Sequence, residues 1–158
     1  MTTTPMPGPI PREILGSTAG IELFRRMIAG ELPVPPFSPT TEIFVIEAEE
    51  GRVLFEGKPT ERFTNPLGGI HGGWVAALLD SAMGCAVHTR LAAGQAYTTV
   101  EMKVNFARAV TPQLGTLRCE GRVLTFGSRI ATSEGFVRDA DGRIVAHGTE
   151  TCLIWAAR

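Results

Sequence analysis

The most regular alternation of polar and apolar residues lies in the C-terminal half of the chain. Apolar residues occupy every second position over 99–106 and again over 116–123. A period of two predicts strands that bury one face. Residues 129–138 and 143–155 are predicted as two further strands, joined by a hairpin turn at 139–142. We expect these four strands to form a meander.

A mostly apolar segment over 71–91 precedes these strands. It predicts the principal helix, and because apolar side chains cover most of its circumference, that helix should be buried. Two shorter strands over 41–48 and 53–57 are predicted before it, joined by a turn. The pattern therefore predicts an α+β fold in which one long helix packs on an antiparallel sheet.

The N-terminal part of the chain has a different pattern. Apolar residues recur at helical spacing over 17–29, so we expect an additional N-terminal helix that Ser17 or Thr18 caps and Gly30 ends. Residues 1–16 are expected to be a flexible tail. Residues 17–39 then contain the helix and a Pro-rich linker, and residues 40–158 form the main domain.

Length and charge exclude several classes of protein. The chain has 158 residues, enough for one domain, and its formal net charge of −1 argues against a nucleic-acid binder. The N-terminus lacks the apolar region of a secretory signal, and the longest apolar stretch is interrupted by Asp80. We therefore expect a cytoplasmic protein with no membrane partner. The three cysteines show no CxxC spacing, so we expect no metal site.

Two glycines mark the start of the principal helix. Gly72 and Gly73 follow His71, where the first helical turn has N–H groups without intrahelical partners. Bare backbone at the positive end of a helix can bind an oxyanion or polarise a carbonyl. The alternative is that the glycines allow tight packing of the helix against the sheet.

Asp80 interrupts the apolar surface of the same helix. An ionised carboxylate enters buried surroundings only with partners or a chemical task. The alternative is that Asp80 faces an exposed strip beside Ser81, Gly84 and His88. Gly72 and Asp80 are eight residues apart, about 12 Å along a helix. One helix cannot bring both to one carbonyl, so a shared site requires two antiparallel helices from a twofold dimer.

Asn65, the run His71-Gly72-Gly73 and Asp80 together carry a family resemblance. Their spacing resembles the signature of hotdog-fold thioesterases, in the PaaI-like branch of the 4-hydroxybenzoyl-CoA thioesterase superfamily. The resemblance covers about residues 43–154. It implies an antiparallel sheet wrapped around one long central helix, in dimers that often pair into tetramers. It also implies hydrolysis of acyl-CoA without a metal or organic cofactor.

The resemblance assigns catalytic roles to particular residues. It implies that Gly72 N–H polarises the thioester carbonyl, and that Asn65 positions the substrate or the water. Asp80 of the facing subunit would act as general base or as nucleophile. Thr99, or its neighbour Thr98, would help to hold the water. His71 either orients the helix start or acts as the base.

The resemblance also implies positions that bind the substrate. Basic groups should lie near the phosphates of CoA. The positions assigned to substrate binding are Gly73, Ser81, Thr98, Arg108, Gly127, Ser128 and Arg129. The additional N-terminal helix either covers the acyl pocket or supports a contact between subunits.

Two other functions remain open at the level of sequence. One is a hotdog-fold hydratase or dehydratase acting on acyl thioesters, although the position five residues after Asp80 is Cys85 and the Asp-to-His spacing of such enzymes is missing. The other is a non-catalytic protein that binds acyl-CoA. A binder has no need of a buried carboxylate, so Asn65 and Asp80 together favour the enzyme.

Overall fold

A six-stranded antiparallel sheet surrounds one long helix in the computed structural model, which describes residues 6–157. The helices are α1 (Arg12–Ser17), α2 (Gly20–Ile28), α3 (Phe37–Thr41) and α4 (Gly72–His88). The strands are β1 (Ile43–Glu49), β2 (Arg52–Gly57), β3 (Gln95–Phe106), β4 (Leu117–Phe126), β5 (Ile130–Arg138) and β6 (Ile144–Ala156). Short 3-10 turns occupy Glu61–Phe63 and Pro112–Leu114. The predicted α+β fold with one long helix is confirmed.

The strand order is β1-β2-β4-β5-β6-β3, and it corrects the predicted meander. β3 does not pair with β4, which follows it in the chain. It pairs with β6 at the far edge, in a register that runs from Gln95 opposite Ala156 to Phe106 opposite Ala146. The alternation of apolar residues specifies which face of a strand is buried, but it does not specify the neighbouring strand. β3 and β6 are the two longest strands and match along their length.

α4 lies close to the sheet because three glycines meet beneath it. Gly121 of β4 pairs with Gly135 of β5, which pairs with Gly148 of β6. A Cβ atom at Gly121 would collide with the carbonyl oxygen of Ala82, and one at Gly135 would lie 2.9 Å from Met83 Cγ. Each of the six strands contacts α4, and the side chains that α4 turns to the sheet are fully buried. This packing determines which face of α4 points away from the sheet.

The N-terminal segment differs from the prediction at its start. The helical conformation is interrupted between α1 and α2, and Ala19 precedes α2 without a side-chain cap. The Ser17 hydroxyl instead donates to the carbonyl of Glu13 within α1, so neither Ser17 nor Thr18 caps the second helix. Gly30 follows α2 with a φ of 77°, the left-handed conformation that ends helices at glycine.

Residues 12–16, assigned to the tail, are helical, and residues 1–5 of that tail lie outside the described residues. Gly8 N–H donates to the carbonyl of Val34, which ties the start of the described chain to the linker. Within 6–157, no helix is long and apolar enough to cross a membrane.

Candidate active site

At the N-terminus of α4, the backbone N–H group of Gly72 has no acceptor within the described part of the chain. His71 precedes the helix, and its Nδ1 accepts a hydrogen bond of 2.9 Å from Gly73 N–H. The N–H of Gly72 has no acceptor among residues 6–157. His71 is therefore engaged in forming the helix start, and Gly72 carries the available donor at the positive end of the helix.

A cavity of about 210 Å³ opens beside this donor. Asn65, Gly72 and Arg108 line it together with the exposed ring of Phe106. Asn65 Oδ1 accepts from the N–H of Leu67 at 2.9 Å, which leaves the side-chain nitrogen of Asn65 as its remaining polar group. The structure thus brings three of the predicted residues, Asn65, Gly72 and Arg108, around one small cavity.

Asp80 lies two turns further along α4, in a second polar cluster. The hydroxyl of Thr99 on β3 donates to Asp80 Oδ1 at 3.4 Å and lies 2.7 Å from Glu150 Oε1. The Cys152 thiol also donates to Glu150 Oε1, at 3.1 Å. In the single chain Asp80 is exposed, but it does not lie in an exposed strip, because Ser81 and His88 are half-buried and Gly84 is buried. Glu150 is 1% exposed.

Glu150 belongs to this cluster and was not predicted from the sequence. Burial raises the pKa of its carboxyl to about 7 against the opposing hydrogen bonds from Thr99 and Cys152, and the charge of Asp80 raises it further. The signal was present in the sequence. Glu150 shares the inward face of β6 with Gly148 and Cys152, where a strand of period two places small or apolar side chains.

A larger apolar cavity, of about 460 Å³, includes Ser81, the residue that follows Asp80. On one side it is lined by Ser81, Cys85 and His88, which follow Asp80 along α4. The other side is formed by α1, α2 and the Pro-rich linker, with Leu23, Phe24 and Met27 among the lining residues. Burial lowers the pKa of His88 to about 4, so this side chain is a neutral wall of the cavity at neutral pH.

The remaining predicted positions lie outside both cavities. Thr98 is exposed on β3, and Thr99 is the residue that contacts Asp80. Gly127, Ser128 and Arg129 form the exposed turn between β4 and β5. That turn borders the end of the sheet where β3 begins, because Ile130 pairs with Leu153 and Leu153 pairs with Thr98.

Gly72 and Asp80 do not meet within one chain. Eight residues of α4 separate them, about 12 Å of helix, and the cavity at Gly72 does not include Asp80. Across the described range, no group of three or more His, Cys, Asp or Glu side chains is arranged to hold a metal ion. The described chain thus has two separate polar features on α4, a backbone donor at Gly72 and a carboxylate at Asp80.

Comparisons with known proteins agree with this architecture. The chain is 32% identical to acyl-coenzyme A thioesterase 13 of Homo sapiens over 114 residues, which cover 70% of this chain and 78% of that protein. A solved structure of a phenylacetic acid degradation-related protein from Ralstonia eutropha JMP134 is similar, with a TM-score of 0.75 and 30% identity over 82% of this chain and 98% of that chain.

The PaaI protein of E. coli shares the fold, with a TM-score of 0.75 at 17% identity over 87% of this chain and 95% of that chain. The sequence profile of the Thioesterase superfamily matches residues 67–146, from the loop before α4 into β6. Since this match spans about half of the chain, and the human relative is covered over more than two thirds of its length, the chain belongs to the Thioesterase superfamily, among its hotdog-fold, PaaI-like members.

Proposed function

We propose that the chain hydrolyses acyl-CoA thioesters to a free acid and CoA, in sites that each combine two copies of the chain. The observation that carries this proposal is the separation of Gly72 from Asp80. Gly72 offers an N–H without an acceptor in the described chain, and Asp80 is exposed two turns away on the same helix. Two antiparallel copies of α4 would bring Gly72 of one copy to Asp80 of the other, in two equivalent sites.

The two halves supply complementary chemistry for hydrolysis. The thioester oxygen accepts from Gly72 N–H, where the helix dipole stabilises the negative charge that develops on it. Asp80 of the second copy either takes a proton from the attacking water or attacks the carbonyl itself. In both routes the carbon–sulfur bond breaks, CoA leaves as the thiolate, and water supplies the oxygen and the protons of the products. The hydroxyl of Thr99, 3.4 Å from Asp80 Oδ1, would help to hold the water beside this carboxylate.

CoA is the leaving group that the residues around Gly72 favour. Arg108 lines the cavity there and is exposed, as a group that binds phosphates must be. The similarity to a human acyl-coenzyme A thioesterase supports the same choice. The exposed turn of Gly127, Ser128 and Arg129 would provide a second surface for the CoA tail. This turn would lie on the copy that supplies Asp80.

We assign the acyl group to the 460 Å³ apolar cavity. Its volume lies within the range of small-ligand pockets, and it starts at Ser81, the residue after Asp80. The N-terminal helices form its outer wall, so the segment 12–28 would determine which acyl groups fit. An aromatic or medium-chain acyl group matches a cavity of this size and polarity.

The proposal is tested by release of free CoA from a panel of aromatic, short-chain and medium-chain acyl-CoAs. We expect the wild type to hydrolyse at least one class, and Asp80→Asn to lower kcat by about a hundredfold or more, as loss of a general base or nucleophile does. Asp141→Asn is the matched control, since Asp141 is an exposed aspartate in the β5–β6 hairpin. If no acyl-CoA is cleaved, while ligand affinity survives in Asp80→Asn, the chain is a binder. Hydration of an enoyl-CoA would identify a hydratase.

A further inference from the structure

A second carboxylate lies directly behind Asp80. Glu150 projects inward from β6, and the hydroxyl of Thr99 stands between the two acids, 2.7 Å from Glu150 Oε1 and 3.4 Å from Asp80 Oδ1. The exposed acid and the buried acid are therefore connected through one hydroxyl group. The thioesterase signature of Asn65, Gly72 and Asp80 does not include Glu150.

The number of protons at this hydroxyl limits the charges that the two acids can carry. Threonine has one O–H group, so Thr99 donates to one oxygen at a time and presents a lone pair to the other. If both carboxylates are ionised, one of the two contacts sets a lone pair against a negative oxygen. Both contacts are hydrogen bonds only when one acid carries a proton and donates it to Thr99.

The surroundings of Glu150 identify it as the protonated acid. Its Oε2 is buried and has no hydrogen-bond partner in the described chain, and the hydroxyl of Ser133, which pairs with Glu150 across β5 and β6, has none there either. Within 6–157, Glu150 forms no ion pair with Lys, Arg or His. An ionised carboxylate without a cation or a full set of donors is costly to bury. The raised pKa of Glu150 agrees with this geometry.

We propose that Glu150 is a positioning residue for thioester hydrolysis: neutral Glu150 donates to Thr99, so that the Thr99 hydroxyl donates to Asp80, and ionised Glu150 withdraws that hydrogen bond. This inference rests on the proposed role of Asp80. In the neutral state the hydroxyl fixes one oxygen of Asp80 and leaves the other for the water or the substrate. In the ionised state Thr99 turns its proton to Glu150, and a second negative charge lies behind Asp80.

The other groups around Glu150 leave it as the acid that changes charge near neutral pH. Burial raises the pKa of Cys85 on α4 to about 12 and raises the pKa values of Tyr97 and Cys152 above their usual ranges, so all three stay neutral. Among residues 6–157, the charged groups that act on the pKa of Glu150 are Asp80 on α4 and Glu101 on β3, and both raise it. Glu101 is exposed and provides a control for the removal of a nearby charge.

The experiment compares the pH dependence of kcat/KM for wild type, Glu150→Gln and Glu101→Gln, with CoA release measured by chromatography. We expect the wild-type value to fall about tenfold between about pH 6 and about pH 8.5, with a midpoint near the pKa of Glu150. Glutamine also donates to Thr99 and cannot ionise, so Glu150→Gln should change by less than about twofold over the same range. Glu101→Gln should keep the wild-type fall.

A second measurement applies to the wild type without substitution. The infrared C=O band of a protonated carboxyl group should be present at about pH 6, titrate near neutral pH, and be absent from Glu150→Gln. Absence of the band in wild type, or profiles of wild type and Glu150→Gln that coincide, would overturn the inference. If Asp80→Asn retains full activity, the proposed function fails instead, which separates the two failures.

Discussion

Asp80 lies eight residues after Gly72 on α4, beyond the reach of any carbonyl that accepts a hydrogen bond from Gly72 N–H. This relationship predicts complementation between defective subunits. Gly72→Pro removes the N–H at the first helical position, where proline is tolerated, and Asp80→Asn removes the carboxylate. We expect each variant alone to be inactive. A heterodimer of the two, purified through two different tags, should have about half of the wild-type activity, because one of its two sites is intact.

Two controls make the complementation specific. Gly72→Ala adds the same Cβ atom beside Phe106, 3.3 Å from its ring, but keeps the N–H. It should therefore retain far more activity than Gly72→Pro, whose loss of one oxyanion donor is worth about a hundredfold or more in kcat. A heterodimer of Gly72→Pro with the double variant Gly72→Pro/Asp80→Asn should remain inactive. If each site were formed within one chain, the heterodimer of Gly72→Pro with Asp80→Asn would also be inactive. That result would contradict the shared site.

Thr99 is predicted to act through its hydroxyl group. Thr99→Val keeps the shape of the side chain and removes the hydroxyl that contacts both Asp80 and Glu150, so we expect kcat to fall about tenfold or more. Thr99→Ser keeps the hydroxyl and should retain most of the activity. Thr98→Val is the matched control on the exposed face of β3, and equal losses in Thr98→Val and Thr99→Val would contradict this role.

Arg108 is predicted to bind a phosphate of CoA. Arg108→Ala should raise KM for an acyl-CoA about tenfold, the usual effect of losing one charge-assisted hydrogen bond. The same variant should leave kcat/KM unchanged for the acyl thioester of N-acetylcysteamine, which lacks the phosphates. Arg118→Ala removes an exposed arginine on β4, outside the cavity at Gly72, and should affect neither substrate. A loss on both substrates in Arg108→Ala would indicate a structural role.

The apolar cavity is predicted to set the size of the acyl group. Met27 lines it from α2, so Met27→Trp should reduce the volume and lower kcat/KM for aromatic and medium-chain acyl-CoAs about tenfold, with little change for acetyl-CoA. Ile28→Trp is the control, because Ile28 is exposed on the same helix and does not line this cavity. Uniform effects of Met27→Trp on all chain lengths would place the acyl group elsewhere.

The sequence predicts correctly those helices and strands that a local pattern of apolar residues specifies. The apolar circumference of α4 and the alternation in β3 and β4 correspond to a buried helix and to strands. The position of β3 beside β6 follows from long-range pairing, which alternation does not encode. Glu150 was missed because one polar residue in an inward position of β6 is a weak signal beside a recognisable motif. Its relation to Asp80 arises only because β3 pairs with β6, which brings Thr99 into contact with both acids.

The raised pKa of Glu150 also predicts a pH dependence of folding stability. In the unfolded chain the Glu150 carboxyl titrates near its ordinary pKa of about 4.3, and in the folded protein near about 7. Between these values the folded state binds more protons than the unfolded state, so the contribution of Glu150 to stability is fully present below about pH 4.3 and is lost as the pH rises through about 7. The free energy of unfolding of wild type, relative to Glu150→Gln, should therefore decrease by about 3 kcal/mol from about pH 4.5 to about pH 8. Urea unfolding of both proteins at equal protein concentration measures this difference, because ionisations that the two share cancel. A constant difference across that range would mean that Glu150 is already ionised in the folded protein at acid pH.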